Sequence, residues 1–237
     1  MISLYKSAWR CVAANPVIYL VLAAGFLLVD VFAAGKNGGI GITLVLWASI
    51  IFMLHQHFLF GGKLGTAKVN GKPRAIAPLG FLALILAFLA PAIVIAIALA
   101  IHFDIFNSDK ATRNGFVMLA MLPLYLVTLC LFGSAIPAYV AGDRYGFGAT
   151  IARIKTTALS ILGGLLIGPT LWSVVVLGRA LVIVPKAHLP QDVLDATGHF
   201  SPVGTLVSGV ERLSGLFSST LAVAVLCRAY RKTAPAA

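Results

Sequence analysis

Six long apolar stretches, divided by short polar gaps, constrain this chain more than any other feature of its sequence. Crossing roughly 30 Å of hydrocarbon takes about twenty apolar residues. Residues 16–34, 40–60, 76–103, 115–141, 158–184 and 204–229 each meet that length. The 237 residues are 60% hydrophobic and only 11% charged, with a mean hydropathy of +1.00. A soluble domain would carry about a quarter charged residues. With lipid as solvent, each span must satisfy its own backbone, so the spans are expected to be helices. The short alternating segments of a membrane β-barrel are missing. The expected fold is an all-α membrane protein of six transmembrane helices in one polytopic domain.

Two amphipathic segments accompany the spans. Over residues 2–14, Ile2, Tyr5, Trp9 and Val12 recur at spacings of three and four, with Lys6 and Arg10 opposite. That pattern predicts an interfacial helix anchored by Trp9. Pro16 can then open a new helix without losing a hydrogen bond. Between the fourth and fifth spans, Phe147, Ile151 and Ile154 fall on one face while Arg153 and Lys155 remain polar. This predicts a second interfacial helix over residues 143–157. Pro91 is expected to kink the third span, and Gly168-Pro169 is a candidate break in the fifth. Small residues at Ala92, Ala96 and Ala100, at Gly164 and Gly168, and at Gly215, Ser219 and Ala222 predict close helix contacts within one bundle.

The net charge of +11 is scattered in short loops rather than gathered on one domain, which argues against nucleic acid and for lipid headgroups as partner. Lys6, Arg10, Lys63, Lys68, Lys72, Arg74, Arg144, Arg153, Lys155, Arg228, Arg231 and Lys232 fall on one side of the expected spans. Only Lys36, Lys110, Arg113 and Lys186 fall on the other. The positive-inside bias predicts that both termini face the cytosol. Cys11, Cys130 and Cys227 are odd in number and far apart, so they suggest free thiols.

Asp30, Arg179, Glu211 and Arg212 are the ionisable residues inside the expected spans. Each would cost about 2.5–3.5 kcal/mol at mid-bilayer on insertion scales. Their positions place all four at similar depth on the outer side, where two acids and two bases can neutralise one another, for instance Asp30 with Arg179 or Arg212. They form either a structural ion-pair cluster or a polar site gripping a headgroup or small anion. His55 and His57 point about 200° apart on a helix and cannot share a metal. His188, Asp192, Asp195 and His199 have helical spacing, but Pro190 and Gly198 break the alignment. No nucleotide loop, metalloprotease, hydrolase or paired-carboxylate motif is found. The sequence therefore implies no enzyme, cofactor or metal.

Three stretches carry a resemblance: Ser7-Ala8-Trp9-Arg10 leading to Asn15-Pro16; Ala135 to Arg144 followed by Ala149, Arg153 and Thr157; and the aromatic-basic close Arg228-Ala229-Tyr230-Arg231-Lys232. In their order they resemble the bacterial six-span inner-membrane family of the glycerophosphodiester-phosphodiesterase membrane domain and the related YciC-type envelope proteins. No phosphodiesterase domain accompanies them, so that activity is not implied. The resemblance implies a bacterial inner-membrane protein engaged in envelope maintenance or partnering other membrane subunits. The sequence is read as a scaffold or accessory factor; the alternative is a small transporter or lipid-handling protein using the four intramembrane charges.

Overall fold

The computed structural model describes residues 2–32, 38–65, 77–108, 116, 123–143, 146–176, 193–194 and 199–233. The described chain is helical: α1 (Ile2–Ala14), α2 (Pro16–Phe32), α3 (Gly38–Phe60), α4 (Ala77–His102), α5 (Pro123–Phe132), α6 (Ala135–Ala141), α7 (Phe147–Val176) and α8 (Pro202–Arg231). Among the described residues, α3, α4, α7 and α8 are each long and apolar enough to cross a membrane. The bent pairs α1–α2 and α5–α6 each become a further candidate when taken as one span, giving four to six. Val94, Ile101, Leu159, Val174 and Leu206 lie largely exposed on these helices. Exposed apolar surface on this scale suits lipid rather than water. The chain is an all-α, multi-pass membrane protein.

Two compact units divide it, the first formed by residues 1–73 and 164–225, the second by 74–163 and 226–237. Helices α7 and α8 each contribute to both.

In the first unit the chain turns by 84° between α1 and α2. Asn15 holds this corner: its Nδ2 donates to the Cys11 carbonyl at 2.8 Å, and its Oδ1 accepts the Leu64 N–H at 3.0 Å. Tyr19, one turn into α2, shares a 2.6 Å hydrogen bond with Thr220 of α8. The expected Gly164/Gly168 face packs inside the unit. A Cβ at Gly164 would lie 2.6 Å from Val225, and one at Gly168 would lie 3.0 Å from Leu4.

Around Pro169, residues Leu166–Thr170 of α7 widen into a π turn. Pro169 has no N–H to offer the carbonyl four residues back, at Leu165, and the wider turn accommodates this. Neighbouring side chains add hydrogen bonds to the carbonyls of the turn itself. The Tyr5 hydroxyl lies 2.9 and 3.1 Å from the carbonyl oxygens of Ile167 and Gly168, and Ser218 reaches the Pro169 carbonyl at 3.4 Å. One turn further on, Trp172 Nε1 donates to Ser214 Oγ at 3.1 Å, and Ser173 meets Ser218 at 3.2 Å. The expected break at Gly168-Pro169 is thus a change of helical pitch, with α7 continuing through it.

The second unit is built on α4. Phe81, Ile85, Ala92, Ala96 and Ala100 form one buried stripe, as the small-residue spacing predicts. Tyr139 of α6 packs on Phe81 with ring centroids 6.2 Å apart, and Phe88 stacks on Phe132 at 5.1 Å. Pro91 does not interrupt α4, which runs from Ala77 to His102. A bend of 47° falls between α5 and α6. Pro137 accounts for it, because its ring crowds the carbonyl four residues back, at Gly133. A side chain at Gly133 would collide with the Leu129 carbonyl and with Leu226.

The sequence separates an interfacial helix over 143–157 from a span starting at 158. In the structure both belong to one helix, α7, with no break between them. The reason is local: no proline or turn-forming glycine pair stands at the join, and Thr156 and Thr157 bond back to the Arg153 carbonyl within the helix.

Gly164→Leu should lower stability by about 1–3 kcal/mol through overpacking against Val225. Gly163 has open space where a side chain would go. Gly163→Leu should therefore be tolerated, and unfolding titrations in mixed detergent micelles will compare the two.

Candidate functional site

Helices α2 and α8 bring Asp30 and Arg212 together. Arg212 Nη2 and Nε lie 2.6 and 3.1 Å from the same Asp30 oxygen, Oδ2. The guanidinium also lies 5.9 Å from the Phe26 ring centroid, one turn before Asp30 on α2. Both charged side chains stay about 40% exposed, at 41% for Arg212 and 38% for Asp30. The pair neutralises two charges that would otherwise be costly within a helix bundle in lipid.

Glu211 does not join them. It precedes Arg212 by one residue, so it projects about 100° around α8. It is exposed and makes no ion pair with another described residue. Arg179, the fourth expected member, lies outside the described residues.

Ser201, Thr205, Ser208, Arg212 and Ser219 share one face of α8 by helical spacing. Several of these hydroxyls turn inward on their own backbone. Thr205 donates to the Ser201 carbonyl at 2.8 Å and Ser219 to the Gly215 carbonyl at 3.0 Å. Ser201 accepts the Gly204 N–H at 3.1 Å and caps the helix start.

A second polar cluster, in the second unit, escaped the sequence reading. Helix α6 ends at Gly142, whose φ of 77° lets the chain reverse, and the Asp143 N–H returns to the Ala138 carbonyl at 2.9 Å. That closure presents the Asp143 carboxylate to α7 and α8. Tyr230 donates to Asp143 Oδ2 at 3.0 Å, and Arg153 stands 3.6 Å from the same oxygen. Arg153 also lies 5.6 Å from the Tyr230 ring centroid, while Lys232 reaches Ser160 at 3.3 Å. Each residue lay in a motif noted from sequence. Their convergence was not legible, because 87 residues separate Asp143 from Tyr230.

The histidines act separately. His55 is buried, with Nδ1 2.8 Å from the Ile51 carbonyl, and His57 Nδ1 sits 2.6 Å from the Gly62 carbonyl. His188, Asp192 and Asp195 lie outside the described residues. Among those described, no three His, Cys, Asp or Glu side chains gather closely enough to hold a metal ion. The chain matches no protein-family model, no curated protein and no solved structure.

A double-mutant cycle on Asp30→Asn and Arg212→Gln, read from unfolding in detergent, should give a coupling of about 1 kcal/mol. The exchanged pair Asp30→Arg/Arg212→Asp should recover part of the loss. Glu211→Gln should stay within about 0.5 kcal/mol of the parent.

Proposed function

We propose that this chain is a non-enzymatic scaffold or accessory subunit of a bacterial inner membrane, serving envelope maintenance with both ends in the cytosol. One observation carries the reading: several polar groups within the described helices are engaged with one another. Asp30 holds Arg212, Tyr19 holds Thr220, Tyr5 holds the π-turn carbonyls, and Trp172 holds Ser214. Groups committed to partners inside a bundle fix its shape rather than turn over a substrate. The asymmetric placement of Lys and Arg supports the orientation. The sequence resemblance to six-span envelope proteins supports the compartment.

The partial exposure of Asp30 and Arg212 favours a second reading, in which this pair receives a headgroup or small anion in a lipid-handling or transport protein. Crosslinking in native membranes followed by mass spectrometry separates the two. The scaffold reading expects reproducible crosslinks to a larger membrane complex that survive purification. A pure monomer that moves lipid or anions across liposomes, with flux lost in Arg212→Gln at unchanged expression, would replace it with the second.

A further inference from the structure

Helix α1 has three faces, and only one belongs to the bundle. Leu4, Ala8 and Cys11 are buried, with Leu4 against Gly168 and Cys11 Sγ 3.7 Å from the Tyr19 hydroxyl. A second face is apolar yet open, with Ile2 83% and Trp9 65% exposed. Trp9 makes an edge contact with Phe217, at 6.4 Å between ring centroids. The third face carries Lys6 and Arg10, one turn apart, both exposed and without a partner among the described residues.

The 84° corner decides what this arrangement faces. If α2 runs along the membrane normal, α1 lies nearly in the membrane plane. An in-plane helix with adjoining exposed apolar and cationic faces matches the boundary between acyl chains and charged headgroups. From this placement we infer that α1 is a binding element for anionic phospholipid. Lys6 and Arg10 hold the headgroup phosphates, and Ile2 and Trp9 enter the acyl boundary beside them. A free phosphate would use only the cations; the open apolar face next to them selects a lipid. The Asn15 hydrogen bonds and the Tyr5 contact to α7 keep the helix fixed on the bundle, so its charges are presented at a set height.

The experiment uses the full chain in nanodiscs of phosphatidylcholine and phosphatidylglycerol, brominating the acyl chains of either lipid at equal mole fraction. Subtracting the signal of Trp9→Phe isolates quenching at Trp9 from that at the other tryptophans. Brominated phosphatidylglycerol should be enriched about fivefold per basic residue near the helix, and quench more strongly than brominated phosphatidylcholine. Lys6→Gln/Arg10→Gln should bring the two lipids level while Trp9 remains quenched. Raising salt to about 1 M should do the same in the parent protein, which covers the case of a variant that fails to fold. Equal quenching by both lipids in the parent, or a preference untouched by both the double substitution and salt, would overturn the inference. So would a Trp9 that neither lipid quenches. Inorganic phosphate at millimolar concentration abolishing the preference would assign the charges to a free anion instead, against the proposal. None of these outcomes bears on the scaffold reading, which partner crosslinks test.

Discussion

A backbone carbonyl released inside a membrane has no water to turn to. Pro169 raises that problem in the middle of α7, because it has no N–H for the Leu165 carbonyl. The π turn Leu166–Thr170 loosens the pitch there, and side chains from two other helices donate to its carbonyls. Tyr5 comes from α1 and Ser218 from α8, so the irregular turn becomes a junction where three helices meet. Gly168 makes the meeting close, since Leu4 occupies the space a side chain would need. In lipid, satisfying one awkward turn has fixed the position of an entire surface helix.

Lipid also reverses the usual reading of amphipathicity. On α1, Ile2 and Trp9 point outward beside Lys6 and Arg10, while Leu4, Ala8 and Cys11 are buried. At the start of α7, Phe147 and Ile151 are exposed, whereas Thr150 and Thr157 are buried and bond to the carbonyls four residues earlier. Dispersion and hydrogen bonds, rather than escape from water, then hold the helices together.

This reversal explains how far the sequence could be read. Helix class, the membrane setting and two of the small-residue faces follow from composition and spacing, because Ala92, Ala96 and Ala100 can serve little besides close packing. The expected Gly215/Ser219/Ala222 face does not pack closely, since Gly215 is exposed with open space where a side chain would go. The Asn15-Pro16 corner was also visible in the residues that build it. Pairings were not. Nothing in one sequence tells Arg212 to take Asp30 while Glu211 beside it stays apart, since that depends on the rotation of α8 about its axis. Prolines were legible only as possibilities: Pro91 sits inside an unbroken helix, whereas Pro137 bends its own and Pro169 loosens one. The join between the interfacial segment and the fifth span was misread for a related reason, as amphipathic and fully apolar stretches can follow one another on a single straight helix.

The contacts of α1 also impose an order of events during synthesis. Tyr5 of α1 and Gly168 of α7 are 163 residues apart, and Trp9 of α1 meets Phe217 of α8. At elongation rates of about 5–20 residues per second, α1 is made on the order of ten seconds or more before its seat on α7 and α8 exists. During that interval Leu4 has no Gly168 to pack on. The open apolar and cationic faces let the young helix rest on the bilayer surface until the later spans arrive. The same two faces that look unfinished in the mature protein thus provide a waiting place for the nascent one.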